Sequence, residues 1–308
     1  MKAPFPIDPV LVAIMVAYKN TKLIADDVLF RVPVGKQEFK YWNIPKGQNF
    51  TIPDTKVGRA SKPNQVTFNA TEETDSTVDY ALDDPIPNAD IENAPSNFNP
   101  VNMAVQGIAN LIALDREVRT ANLVFNAANY ATANKIQLSG NAQFSDFTNS
   151  DPIGVIMAGL DACVMRPNEM TIGRLVFSKL SQHPDINKAT KGNSGDTGIA
   201  RRQQIAELFE LDAVHVGEAF VNTAKPGQTV SLNRAWGKHI SLQYVDRTAN
   251  TRGGTTFGYT AQFGDPIAGK WENKNIGMRG GQMTRAGESV KELIVANDLG
   301  YFIEDAIA

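Results

Sequence analysis

The sequence predicts an α+β protein that is drawn out rather than rounded, and three features predict it. Apolar residues at Val66, Phe68, Ala70, Val78, Tyr80 and Leu82 keep one two-residue phase across the polar stretch 71–77. That alternation marks a β-strand with one covered face. Read as one strand, it runs about 17 residues, or about 55 Å, against a usual strand of about 3–10 residues. Residues 99–130 carry Ala104, Ile108, Leu111, Leu114, Val118, Ala121, Phe125 and Ala128 at spacings of three and four, the rhythm of one helix face. Strand patterns then return beyond Gly253-Gly254. A strand and a helix that outrun a compact core must project from it. The chain therefore reads as an assembly protein rather than an enzyme.

Along the chain, residues 1–35 read as an arm with one short helix. Asp8-Pro9 supplies a cap and a first-turn proline, and Pro33 and Gly35 break the chain further on. Residues 36–93 read as a long hairpin. Its first strand is 38–44, its second is the long strand, and about 20 Gly-, Pro- and Lys-rich residues lie between them. A connection that long suits a protruding tip better than a compact domain. In the third region, Asn99-Pro100 caps the predicted helix over 99–130. The charged residues Asp115, Arg116, Glu117 and Arg119 within it are expected to be solvated or to bridge to neighbours. A polar loop then precedes a helix near 152–164, a buried strand at 171–177, and a short helix at 177–183 that Pro184 stops. Residues 191–198 (KGNSGDTG) have loop composition. Next come a helix at 199–209 and strands at 213–216, 229–232 and 240–245. A terminal hairpin is predicted at 290–296 and 300–303, turning at Asn297-Asp298.

The composition narrows the function. Net charge is −3, whereas a protein that grips DNA through its surface is usually basic. No apolar run reaches the length of about 18 residues that spans a bilayer, so no membrane partner is expected. The N-terminus has no long apolar core before a small-residue cleavage site, so no signal peptide is read. The single cysteine, Cys163, excludes an intramolecular disulfide and a Cys-based zinc site, and reads as a buried small hydrophobe. His183, His215 and His239 show no metal-ligand spacing, and the chain lacks HExxH, GxSxG and GxxxxGK[ST] motifs. The loop 191–198 follows no clear strand and has no lysine at the offset a phosphate cradle needs, so it reads as a flexible loop. No catalytic residue, metal or cofactor is expected. Asp83-Asp84 with Asp90 and Glu92 reads first as a solvated acidic face, with a hard cation or a basic partner as the alternatives.

The order of parts is an arm, a long hairpin, a long helix, an α/β region and a return to strands. It resembles the major capsid protein of tailed bacteriophages, the Hong Kong 97-type fold. Local sequence carries the same resemblance. Asp8-Pro9-Val10-Leu11, Leu23-Ile24-Ala25-Asp26 and Arg31-Val32-Pro33-Val34 are similar to the family's arm. Val57-Gly58-Arg59, Ala70-Thr71-Glu72-Glu73 and Asp79-Tyr80 are similar to its extended loop. Residues 177–186 (FSKLSQHPDI) resemble the helix that follows a buried strand. The resemblance spans essentially the whole chain and implies four parts: an arm at 1–35, an extended loop at 36–93, a peripheral domain at 94–133 and 257–308 around a spine helix at 99–130, and an axial domain at 134–256. It implies a homo-oligomer of pentamers and hexamers that closes an icosahedral shell in a host bacterium's cytoplasm. Such a shell encloses double-stranded DNA without reading its sequence. The implied partners are a portal and a scaffolding protein, with a decoration protein as a further one. Because the arm begins at once, no long N-terminal segment is expected to be removed, and scaffolding is expected to be separate or absent. Some members join a loop lysine to a neighbour's asparagine; Lys46, Lys56 and Lys62 lie in that region, and none matches the role.

Two alternatives accompany this reading. One is an encapsulin-like nanocompartment shell with the same fold. The other is a metal-dependent enzyme using Asp83, Asp84, Asp90 and a histidine. The candidate inter-subunit contacts come from charge: a basic tip at Lys46, Lys56, Arg59 and Lys62, and acidic residues at Glu72, Glu73, Asp83 and Asp84.

Overall fold

The structure, a computed structural model, describes residues 5–17, 22–43, 51–67, 71–192, 198–225 and 227–308. Two sheets organise it. The first is built on β13 (Gly281–Ile294). Strand β4 (Val78–Pro87) runs antiparallel along one edge of β13, from Val78↔Val290 to Pro87↔Gly281. Along the other edge lie β12 (Ile267–Asn273) and β11 (Gly258–Phe263), and β1 (Arg31–Val34) adds a parallel strand outside β11. The arm is thus more structured than expected. It holds α1 (Pro9–Ala17), a second helix α2 (Ala25–Val28) and strand β1. Asp8 caps α1 by accepting the Val10 N–H at 2.9 Å.

The expected hairpin forms from β2 (Glu38–Asn43) and β3 (Thr71–Ser76), in register from Glu38↔Ser76 to Asn43↔Thr71. The long second strand, however, is two strands with different partners: β3 serves the hairpin and β4 the first sheet. The break is the buried Thr77, whose N–H donates to the Gln37 carbonyl at 2.9 Å and whose hydroxyl bonds to that of Ser289 at 3.0 Å. The covered face changes phase there, from Glu73 and Asp75 on β3 to Tyr80, Asp84 and Ile86 on β4. The single phase read over 66–82 therefore does not hold, and Val78 and Leu82 on it are exposed.

A short helix α3 (Asn88–Glu92) leads to the long helix α4 (Pro100–Val124). Its cap is the predicted one, with the Asn99 side chain accepting from the N–H groups of Val101 and Asn102. The helix is 25 residues, or about 37 Å, and ends at Val124 rather than near residue 130. Its packing face matches the predicted stripe in part. Ala104 and Ile108 of that stripe join Val101, Val105 and Ile112 against Leu11, Met15, Ile86 and Ala286 in the first core, and Ala121 is buried further along, whereas Leu111 is 54% exposed. The helix is apolar on two faces, and the chain covers one of them in this half.

The second sheet has the order β5-β14-β10-β6-β7, with β5 (Lys135–Gln137), β14 (Gly300–Glu304), β10 (Ile240–Gln243), β6 (Glu169–Gly173) and β7 (Ala213–Gly217). Helices α5 (Pro152–Ala162), α6 (Arg174–Gln182), α7 (Pro184–Lys191) and α8 (Arg202–Leu208) pack with it over Phe144, Ile156, Leu160, Met170, Leu180 and Phe209. A separate small ribbon pairs β8 (Phe220–Asn222) with β9 (Leu232–Arg234). Two sequence expectations are corrected here. Pro184 starts α7 as its first-turn residue, with His183 as the cap, instead of only ending α6. The predicted terminal hairpin is absent, because β14 enters the second sheet between β5 and β10 while β13 stays in the first. The last strand therefore stitches the halves together.

Candidate assembly surfaces

Residues 51–67, between the two hairpin strands, are exposed throughout and carry no regular structure. Ile52 is 93% exposed, and Val57 and Val66 are also open to solvent. Lys56, Arg59 and Lys62 stand on this segment, and among the described residues none of them pairs with a carboxylate. Lys46 lies outside the described residues.

The structure separates the acidic candidates. Glu72 binds Lys40 across the hairpin at 2.6 Å, and Glu73 accepts the Tyr41 hydroxyl at 2.6 Å. Burial and the Glu73 carboxylate together push the Tyr41 hydroxyl well above its ordinary range. Asp83 holds Arg285 through two hydrogen bonds of 2.5 Å. Glu72 and Glu73 thus bridge the two strands of the hairpin and Asp83 ties β4 to β13, all inside the subunit. Asp84, Asp90 and Glu92 have no ion-pair partner among the described residues. Asp83 and Asp84 are neighbours on β4, so their side chains leave opposite faces of the strand and cannot clasp one cation. Among the described residues, no group of three or more His, Cys, Asp and Glu side chains is placed to hold a metal ion. No described helix is long and apolar enough to cross a membrane.

The middle of α4 holds the subunit's two halves together. Arg116 is 1% exposed and Glu117 0%. Arg116 pairs with Asp26 and donates to the Leu29 carbonyl and the Thr260 hydroxyl. Glu117 accepts the N–H groups of Ile24 (2.9 Å) and Ala25 (2.7 Å) at the start of α2, and the Trp236 indole N–H at 2.6 Å. Burial pushes the Glu117 carboxyl above its ordinary range, against those three donors and Arg116. One helix turn thus binds the arm, the first sheet and, through Trp236, the second half. Close packing completes the joint, because a Cβ at Gly217 would lie 2.1 Å from the Trp236 ring. Nothing local to Trp236 in the sequence marks it for this role. The charges of Arg116 and Glu117 bridge to neighbours and are not solvated.

One cluster imitates a hydrolase. Ser150 Oγ lies 3.1 Å from His183 Nε2, and Asp185 follows His183 by two residues. The polarity is wrong for catalysis. His183 Nδ1 accepts the Asp185 N–H, so Nε2 keeps its hydrogen and donates to Ser150, whose own hydrogen goes to the Asp146 carbonyl at 2.6 Å. The other two histidines are also engaged. His215 pairs with Glu169 at 2.9 Å, and His239 Nδ1 accepts the Asp305 N–H at 3.0 Å. None of the three meets Asp83, Asp84 or Asp90, which removes the basis of the enzyme alternative.

Burial holds His183 and His239 below the ordinary histidine range. The folded state therefore binds fewer protons than the unfolded state below pH ~6.5, and stability falls as pH drops through that point. The expected loss is up to about 1.4 kcal/mol per pH unit for each histidine held neutral. Urea midpoints at pH 7.5 and 5.5 check this, and His183→Gln should flatten the dependence.

No protein-family model matches the chain. It is 55% identical over 306 residues to the major capsid protein of Pseudomonas phage JBD67, covering 99% of both chains. It is 29% identical over 310 residues to the major capsid protein of Burkholderia phage BcepMu, covering 96% of this chain and 95% of that one. Among solved structures, a phage-related protein from Bordetella bronchiseptica RB50 superposes with a TM-score of 0.77 at 22% identity, over 99% of this chain and 98% of that one. The capsid of cyanophage P-SCSP1u gives 0.58 at 11%, over 94% and 89%. An encapsulin from Synechococcus elongatus PCC 7942 gives 0.54 at 10%, over 97% and 96%. Fold likeness alone therefore does not separate a phage capsid from an encapsulin shell. The full-length relative at 55% identity does, and the chain belongs to the family of bacteriophage major capsid proteins, which build the shell of the phage head.

Proposed function

We propose that copies of this chain close into an icosahedral shell of pentamers and hexamers around double-stranded DNA, and that the basic hairpin tip docks on acidic surface of a neighbouring copy. In this reading the hairpin is the extended loop. The first sheet with α4 is the peripheral domain, and the second sheet, now including β14, is the axial domain. A portal and a scaffolding protein are the partners proposed for assembly.

The observation that carries this reading is the 51–67 segment. It exposes Ile52, Val57 and Val66 beside three cations that have no carboxylate partner among the described residues. Apolar residues on a segment with no core of its own gain cover from another molecule. Asp84, Asp90 and Glu92 are the acidic candidates with no ion pair among the described residues. Each exposed pair contributes about 0–1 kcal/mol. Repetition around a lattice multiplies that contribution, and charge sets register.

Reversing Lys56 and Arg59 to Glu is expected to abolish most particle formation while leaving the subunit's unfolding midpoint unchanged. Changing Asp90 and Glu92 to Lys in the same chain should partly restore particles, scored by sedimentation and electron microscopy. Normal assembly of the reversed variant at both low and high salt would show that the charges only solubilise the tip.

A further inference from the structure

Beyond the shell itself, the subunit has a second apolar surface with a basic end. Where α4 meets the arm and the second half, a crease opens into a cavity of about 460 Å³, with Leu114 on its helix wall. Its lining includes Lys22, Arg174 and Arg234 against a single acid, Glu218. Arg174 is paired with Glu218 at 3.1 Å. Arg234 lies over the Phe220 ring at 4.2 Å and donates only to the Glu218 carbonyl, so among the described residues it meets no carboxylate.

The helix wall continues out of the cavity as Met103, Gly107 and Leu111, at spacings of four. Met103 is 53% exposed and Leu111 54%. A Cβ at Gly107 would meet nothing within 4 Å, so no packing within the chain accounts for this glycine. A glycine in a helix interior costs about 1 kcal/mol relative to alanine. Set between two large apolar side chains, it makes a hole flanked by knobs, the relief that lets a second helix approach closely.

We infer that this crease is the docking site for an acidic amphipathic helix of a second protein. Met103 to Leu114 spans about 16 Å, or three helical turns, which matches one helix lying along another. Its apolar face would cover Met103, Leu111 and Leu114, and its carboxylates would reach Arg234. Nucleic acid fits poorly, because Leu23, Leu114, Ala219 and Phe220 form part of the lining and Glu218 faces the cavity. The outward loop of a second copy fits poorly as well, because Lys56, Arg59 and Lys62 would meet a lining with three cations and one acid. A helix seated here touches the spine, the arm and the second half at once, and so braces the angle between the subunit's two halves.

The test uses the full-length unassembled subunit and a fluorescein-labelled Leu/Glu amphipathic peptide of about 18 residues, five turns. Fluorescence anisotropy is expected to show saturable binding. Arg234→Glu and Leu111→Glu should each weaken it at least about tenfold, and a Leu/Lys peptide should bind at least about tenfold more weakly. Neither residue is buried, so unfolding midpoints should not move. A photo-crosslinking residue at Leu111 in phage-producing cells should then join an acidic helix of another protein, and the joining should be lost in Arg234→Glu. Equal binding of the two peptides overturns the proposal, as does binding unchanged by either variant. Crosslinks that fall on a second copy, on nucleic acid or nowhere also overturn it. Shells that form while the crease binds no acidic helix overturn this inference and leave the shell reading intact.

Discussion

Replacing Glu117 with alanine is expected to destabilise the folded subunit by about 3–5 kcal/mol, a large fraction of a typical domain's stability. The carboxylate accepts three N–H groups from two separate parts of the chain, all in a buried setting. Its removal orphans the Ile24, Ala25 and Trp236 donors together and takes one negative charge from beside the buried Arg116. Each buried donor left without a partner costs about 1–3 kcal/mol. Glu117→Gln keeps one acceptor oxygen but must bury an amide that has donors of its own, so it should recover only part of the loss. Urea denaturation at constant slope measures both. A shift below about 1 kcal/mol for Glu117→Ala would show that water replaces the carboxylate at no great cost.

The second large effect is expected at the other end of the same bond. Trp236 is 1% exposed and packs edge-on against Phe125 at 5.0 Å. Trp236→Ala should cost about 3–5 kcal/mol through the cavity it leaves. Trp236→Phe keeps most of the ring but cannot donate to Glu117, so its cost should be about 1–2 kcal/mol. Because the two residues share one bond, the Glu117→Ala, Trp236→Ala double variant should lose less than the sum of the singles. Strict additivity in that cycle would mean that the indole N–H and the carboxylate do not act together.

These two residues also mark how far one-dimensional reading reached. Asn99-Pro100 and Asp8-Pro9 located helix starts correctly, because a cap is a local event between adjacent residues. The hairpin was legible from Phe39 and Tyr41 alternating in its first strand and from the Gly-, Pro- and Lys-rich connection after it, whereas 71–76 is polar throughout and becomes a strand through its pairing. Arg116 and Glu117 look like surface residues in a sequence window, since what buries them comes from residues 24–29, 236 and 260. The choice of Leu111 over Ile112 for the core failed for a related reason, since a helix that is apolar on two faces does not declare which one its own chain will cover. The acidic candidates divided only when strand pairing brought Lys40 and Arg285 beside Glu72 and Asp83.

The partner change at Thr77 has a mechanical consequence. The two ladders on either side of it share no strand pair, so the hairpin turns on the body at a pivot pinned by Gln37 and Ser289. The pivot is braced by Phe39, packed among Val32, Tyr259 and Leu293, and by the Asp75–Lys291 ion pair at 3.5 Å. The six-residue strands beyond it form a lever about 20 Å long. A rotation of about ten degrees at that pivot carries the far end about 3–4 Å, with every hydrogen bond within both ladders intact. One sequence can thus meet neighbours at slightly different separations by elastic adjustment at one joint, with no refolding of either sheet.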